Sequence, residues 1–259
     1  MDFGIAGRKA IVCASSRGLG RACALALAEA GCELVVNGRD ADALAAAARE
    51  LRAIVKGPVH EVAGDLDKEA TRAALIAAAP EADILVNNNG GPPRKAFAEI
   101  TRTDVLAGIE SNMLAAIALV QALAPGMAKR KFGRIVNITS SSVRAPIAGL
   151  DVSSGARAGL TAFLAAAARS YARDNVTINS IQPGSFDTDR LRPGQERIAA
   201  ERGVPLPQVR AEAQARIPAG RFGDPAELGA LCAYLASAQA GFITGQNILI
   251  DGGAFPGAF

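Results

Sequence analysis

The sequence predicts an α/β fold: a single doubly wound parallel sheet of about seven strands, with helices on both faces. Short apolar runs alternate with longer, alanine-rich stretches of helical length along the chain. That order joins parallel strands through right-handed crossovers. The strand-like runs are apolar throughout rather than alternating, as expected of strands covered on both sides. A chain of 259 residues, 50% hydrophobic, can fill one sizeable core without dividing. Residues 1–259 are therefore expected to form one domain.

The elements follow in order. Ala10–Ala14 reads as the first strand and Gly18–Ala30 as a helix stopped at Gly31, since glycine readily takes the left-handed conformation of a helix end. Glu33–Asn37 is the second strand, and Asp40 can cap the helix Ala41–Ile54. Strand Val59–Ala63, helix Lys68–Ala78 and strand Ile84–Asn88 come next. Thr103–Lys129 is long helical material, with an interruption expected near Pro125, which has no N–H to donate. Strand Arg134–Thr139, helix Ser154–Arg173 and strand Thr177–Ile181 follow, and helix Pro225–Ala236 and strand Asn247–Ile250 close the order. Asp187–Phe222 is richer in Pro, Gly, Arg and Glu than its surroundings and reads as a helical excursion over the ligand site.

Composition narrows the function. A net charge of +3, with Lys and Arg scattered, argues against nucleic acid or an anionic membrane as partner. Cys13, Cys23, Cys32 and Cys232 show no C-x-x-C spacing and read as buried free thiols in a reducing compartment, with no metal site. Met1–Gly7 lacks the pattern of a secretory signal. No uninterrupted apolar run approaches the ~18 residues of a membrane span. A cytoplasmic protein acting on a small molecule is expected.

In a doubly wound sheet, ligands bind beyond the carboxyl ends of the strands. There, between the first strand and its helix, lies Cys13-Ala14-Ser15-Ser16-Arg17-Gly18-Leu19-Gly20. Gly18 and Gly20 let the backbone approach a pyrophosphate, and the helix start offers free N–H groups and partial positive charge.

With these residues the chain resembles the short-chain dehydrogenase/reductase family, in its compact form, over essentially its whole length. The family loop T-G-x-x-x-G-x-G is matched except that Cys13 and Ala14 replace its first Thr and Gly. Asp65-Leu66 falls where the family holds adenine, and Asn87-Asn88-Asn89-Gly90 stands for N-N-A-G. Asn112 falls at the family's helix asparagine, and Asn137-Ile138-Thr139-Ser140 resembles N-I-S-S. Pro183-Gly184 with Thr188 matches P-G-x-x-x-T, a segment that includes Phe186; Thr244-Gly245 and Asp251-Gly252-Gly253 complete the series. The resemblance implies a Rossmann-type domain that holds a dinucleotide with residues 14–20, Asp65, Leu66, Asn88, Asn89, Gly90, Pro183, Gly184, Phe186 and Thr188.

Charge speaks to which dinucleotide. An acid at the end of the second strand would bond the ribose diol of NAD and repel a further phosphate. Asn37-Gly38-Arg39 stands there instead, with Arg17 in the glycine loop. Two guanidinium groups suit a 2′-phosphate, so NADP(H) is the expected cofactor.

The resemblance also implies a catalytic quartet of Asn, Ser, Tyr and Lys. The matching positions are Asn112, Ser140, Ser153 and Arg157, so the proton-transferring Tyr and its Lys are replaced. A phenol starts near pKa ~10 and a neighbouring cation can lower it, whereas a serine hydroxyl is a far weaker acid. Loss of such an acid typically costs ~10²–10⁴ in rate. Asp151, Arg144 or a bound water could supply the missing function, and an exposed loop ion pair is the plainer role for the first two. His60 and Tyr234 read as structural, and Tyr171 lies at the far end of its helix. A similar Ser-x-x-x-Arg pattern, with N-N-G-G-P after the fourth strand, marks a 3-oxoacyl-carrier-protein-reductase-like branch. Asn89-Gly90-Gly91-Pro92-Pro93 and Arg144 fit it.

Three functions are consistent with this pattern: an NADP(H)-dependent oxidoreductase on a carbonyl or secondary alcohol with a rebuilt proton path, a non-redox enzyme similar to halohydrin dehalogenases, and a nucleotide-binding protein without turnover. Phe97, Phe186 and Leu191–Ile217 are expected to shape the pocket, and Arg94, Lys95, Arg144 and Arg192 could attract an anion. The family implies a homo-oligomer, tetramer or dimer, through the helices matching Asp104–Lys129 and Gly159–Arg173.

Overall fold

The computed structural model describes residues 2–55 and 57–257. Seven strands alternate with helices: β1 (Lys9–Val12), α1 (Gly18–Glu29), β2 (Glu33–Gly38), α2 (Ala41–Arg52), β3 (Val59–Ala63), α3 (Glu69–Ala78) and β4 (Ile84–Asn87). Then come α4 (Arg102–Ile109), α5 (Ala115–Lys129), β5 (Gly133–Ile138), α6 (Asp151–Tyr171), β6 (Val176–Pro183), α7 (Arg192–Arg202), α8 (Leu206–Ala215), α9 (Pro225–Ala236) and β7 (Asn247–Ile250). The strands form one parallel sheet in the order β3-β2-β1-β4-β5-β6-β7. The order reverses between β1 and β4, which opens a crevice at their carboxyl ends.

Two apolar clusters cover the faces. Leu27, Cys23, Leu44, Leu228 and Cys232 pack against Val12, Val36, Val86 and Val136 on one side. Leu75, Leu119, Leu123, Met127, Leu160 and Leu164 pack against Ile11, Val35, Leu85 and Ile135 on the other. Alternate residues of one strand thus enter different clusters, which is why Ala10–Val12, Leu34–Val36 and Ile84–Val86 are apolar throughout, whereas β6 departs from the expectation by burying Thr177, Asn179, Ser180 and Gln182. β3 departs from that pattern: at the sheet edge, His60, Glu61 and Ala63 are exposed. All four cysteines are buried and free, and burial pushes the Cys13 thiol up to about 12.

The interruption expected at Pro125 lies elsewhere. Pro125 sits inside α5, and the continuous helical segment is broken instead by a π-turn over Glu110–Leu114. A π-turn inserts one extra residue, and here Asn112 is buried within it. Thr101 and Asp104 cap the start of α4 reciprocally. The 28-residue segment Arg102–Lys129 is long and apolar enough to cross a bilayer, yet Ile117, Leu119, Val120, Leu123 and Met127 are spent on the core.

α6 begins at Asp151, three residues earlier than the sequence suggests, so Ser153 lies in its first turn. The excursion over 187–222 is helical as expected, built of α7 and α8. Its base is closed by the bridge between Phe186 and Gly223.

Candidate active site

The turn after β1 is held by buried polar bonds. Ser15 Oγ donates to Val12 O at 2.8 Å and accepts from Asn37 N at 3.1 Å. Asn37 is buried; its Oδ1 accepts from Ala14 N, and its Nδ2 donates to Val62 O and Gly64 O. The side chains of Ser15 and Asn37 therefore shape the turn from below and are fully engaged there.

Ala14 takes φ +46°, a left-handed backbone that alanine adopts at a cost. At Gly20 a Cβ would lie 2.2 Å from Ala14 O and 2.7 Å from Asn88 Nδ2, so only glycine fits. α1 opens after Arg17, whose side chain does not cap it. Gly18 faces Thr188, with 3.8 Å from its would-be Cβ to Thr188 Cγ2. The turn after β6 is thereby brought over the glycine loop, with Leu19 packed against the core beneath.

Around this cradle, Ser16 stands over Gly38 at the end of β2. Arg17 pairs with Asp40 at 3.2 Å, whereas Arg39 makes no ion pair among the described residues and its Nη2 lies near Gly90. The two guanidinium groups are thus unequal: one is free, the other already shared. Asp65 accepts from Asp67 N, and Asp67 accepts from Asn89 Nδ2, which also donates to Ser111 O. Burial, then repulsion from Asp65, raises the Asp67 carboxyl above its ordinary value. Sequence reasoning named Ser16 within the glycine loop but neither Asp67 nor Ser111; only their positions beside recognised motifs could have signalled them.

Two expected contact residues have buried side chains. Phe186 is buried in the core against Gly223, where a Cβ would meet its ring at 2.6 Å. The Leu66 side chain is buried as well, and its carbonyl accepts from Arg72. Gly184 is demanded by packing, since a Cβ there would lie 2.7 Å from that of Asp251. Its neighbour Pro183 ends β6 beside Ile250. Phe97 is exposed.

Asn112, Ser153 and Arg157 gather beyond β4 and β5, and Ser140 follows the end of β5. Asn112 Nδ2 donates to Gly90 O at 3.3 Å and to Ser111 Oγ at 2.7 Å. Its Oδ1 is buried without a protein partner, as is Asn87 Oδ1. Both residues line a cavity of about 20 Å³, room for one water. Ser140 Oγ accepts from Ser142 N at 3.1 Å, which leaves its own proton to donate.

Arg157 is a strut. Its Nη1 donates to Ile138 O at 2.7 Å, Nη2 to Asn89 O at 3.1 Å and Nε to Ser153 Oγ at 3.2 Å. It ties the ends of β4 and β5 to α6. Burial and then the nearby Arg190 push its pKa down to about 10. The guanidinium stays charged at neutral pH. Ser153 accepts that N–H, so its proton too is left to donate.

The substitutes for the missing acid do not reach the quartet. Asp151 is exposed at the start of α6, where its carboxylate accepts from Gly149 N. Arg144 donates to Gln182 Oε1 and Asn247 O, tying its loop to β6 and β7. No ion pair forms between them. The residue that does approach Ser153 is Arg190: a Cβ on Gly91 would lie 2.7 Å from Arg190 Nη2 and 3.3 Å from Ser153 Oγ. Sequence reasoning missed it, because nothing in the excursion distinguishes one arginine from the next.

A glycine cradle at the sheet's switch point, with hydroxyl and guanidinium groups one strand away, defines a dinucleotide-binding α/β enzyme class. Comparison with known proteins agrees. Residues 13–254 match the family described as enoyl-(acyl carrier protein) reductase. An NADPH-dependent reductase, BacG, of Bacillus subtilis (strain 168) is 31% identical over 254 residues, 95% of this chain and 97% of its own. Acetoacetyl-CoA reductase of Shinella zoogloeoides is 33% identical over 250 residues, 96% of this chain and 98% of its own. The crystal structure of L-sorbose reductase from Gluconobacter frateurii, complexed with NADPH and L-sorbose, superposes with a TM-score of 0.94 at 29% identity, covering 99% of this chain and 100% of that one. The chain belongs to the short-chain dehydrogenase/reductase family of oxidoreductases.

Proposed function

We propose that this protein is an NADP(H)-dependent oxidoreductase acting on a carbonyl or secondary alcohol, with a proton path that does not run through a phenol. The observation that carries the proposal is the glycine cradle: Gly18 and Gly20 beneath an uncapped helix start, with Arg39, which forms no ion pair among the described residues, at its adenosine side. The relatives described as NADPH-dependent reductases support the same cofactor.

The residues fit that cofactor. The turn 14–20 would hold the pyrophosphate, Arg39 the 2′-phosphate, Asp65 the adenine end, and Asn88–Gly90 with Thr188 the ribose and nicotinamide. When bound, NADPH supplies the hydride for the carbonyl carbon. Ser140 and Ser153 each have a free hydroxyl proton, so both can donate to the carbonyl oxygen and stabilise charge as it develops there. Arg157, fixed by two backbone carbonyls, aims its Nε at Ser153 and keeps that hydroxyl in a donating orientation. Neither serine is acidic enough to surrender its proton outright, so the final proton comes from solvent, relayed through a hydroxyl. The dehalogenase-like alternative gains no support, since it would dispense with the glycine cradle. Exposed Val105, Leu106, Leu114 and Phe163 on α4–α6 support association with further copies of the chain.

Steady-state reduction of a panel of 3-oxo acids and esters tests the proposal. Ser140→Ala should lower kcat by ~10²-fold or more with NADPH affinity unchanged. A wild-type kcat flat between about pH 6 and pH 9, with a solvent isotope effect, is expected of a centre lacking a titrating acid. Full activity of the Ser140→Ala variant would overturn the assignment.

A further inference from the structure

Of the basic residues near the site, most are already engaged. Lys95 pairs with Asp104 at 2.6 Å, Arg192 with Glu196 at 3.0 Å, and Arg144 is bonded to Gln182 and Asn247. Arg94 and Arg190 differ. Among the described residues neither forms an ion pair or donates a hydrogen bond, although Arg190 directs a guanidinium nitrogen onto Gly91, beside the Ser153 hydroxyl. Arg94 lies three residues further along the loop that contains Gly91 and packs towards Gly149. The two charges repel each other: burial and then Arg94 hold the Arg190 pKa below its ordinary value, and Arg190 in turn lowers that of Arg157. Among the described residues no carboxylate pairs with Arg94, Arg157 or Arg190, although all three stand around the loop that contains Gly91 and the start of α6. Such an arrangement is relieved by an anion, which planar guanidinium groups bind through paired N–H donors.

We propose that Arg190 and Arg94 form an anion-binding pair beside Ser153, and that the substrate is a carbonyl or hydroxyl compound bearing a carboxylate or comparable anionic group. This rests on the oxidoreductase reading above and specifies its substrate class. The anionic group sits on Arg190 and Arg94, and the reacting oxygen faces the two serines. Gly91 makes the arrangement possible, because any side chain there would displace the Arg190 guanidinium.

The same guanidinium groups could instead meet the phosphates of the cofactor, and the test separates the two. NADPH is titrated calorimetrically into the wild type and an Arg94→Ala/Arg190→Ala variant. NADP⁺-saturated samples of each are then titrated with acetoacetate and with its neutral ethyl ester. The expected result is NADPH affinity equal within about twofold, with the wild type preferring acetoacetate over the ester by tenfold or more and the variant showing no preference. That preference should weaken with added salt, and Arg94→Lys/Arg190→Lys should keep part of it. A tenfold loss of NADPH affinity in the alanine variant would assign the pair to the cofactor and overturn the proposal. So would a wild type without anion preference, absence of binding included. Failure of the wild type to bind NADPH at all would instead remove the oxidoreductase reading, and this proposal with it.

Discussion

Replacing Arg157 by Met keeps most of its volume and removes the strut between two strand ends and α6. In the folded protein its guanidinium bonds Ile138 O, Asn89 O and Ser153 Oγ. Without it the buried carbonyl of Ile138 and the part-buried carbonyl of Asn89 lose these donors, at ~1–3 kcal/mol each. Relief of the desolvation that lowers the Arg157 pKa to about 10 offsets part of that loss. A net destabilisation of roughly 2–4 kcal/mol follows, or about 5–15 °C in melting temperature for a chain of this size. The sign of the pH dependence is fixed as well. The folded pKa lies below the unfolded one, so the cost of burying the charge is fully present at any pH below about 10 and is relieved only as pH rises beyond that. The deficit of the Met variant should therefore be the same at about pH 6 as at about pH 9. Calorimetric melting of the apoprotein at both values is the assay. Arg157→Lys, with one compact ammonium in place of a fork, should fall between the two. A Met variant that melts within ~1 °C of the wild type would refute the strut, because buried carbonyls stripped of their donors cannot be neutral.

Further outcomes follow from the same geometry. Ala14 holds φ +46°, so Ala14→Gly should raise stability by up to ~1 kcal/mol, measured as a higher melting temperature with NADPH affinity intact. Asp67 has a raised pKa from burial and Asp65, so the fold favours its protonated form. Its contribution is therefore best at low pH and is lost as pH rises through the folded pKa. Asp67→Asn, which can still accept from Asn89, should melt above the wild type at neutral pH, with the gap closing on acidification.

The sheet was legible because its strands are buried on both faces, and an all-apolar run leaves little else to form. The exception, β3, shows the limit: His60 and Glu61 fit only because the strand lies at the edge. The π-turn at Asn112 was not legible, since local sequence contains no counterpart to the tertiary bonds from Asn112 to Gly90 and Ser111. Pro125 drew attention as a breaker, but a proline removes one rung, which the packing of α5 tolerates. The site residues were legible where backbone geometry demands a residue type, as at Gly18 and Gly20. Side-chain direction was not legible: Phe186 and Leu66 have buried side chains, and Asp151 is exposed. Arg190 reaches the site through the length of its side chain, a property no motif records.

The most direct test is calorimetric titration of the purified protein with NADPH and NADH, since a chain without Trp offers little fluorescence signal of its own. Micromolar NADPH affinity, with NADH weaker by tenfold or more and the difference lost in Arg39→Ala, is the predicted result. Equal affinity for both would contradict the 2′-phosphate assignment, and binding of neither would contradict the dinucleotide-dependent oxidoreductase itself.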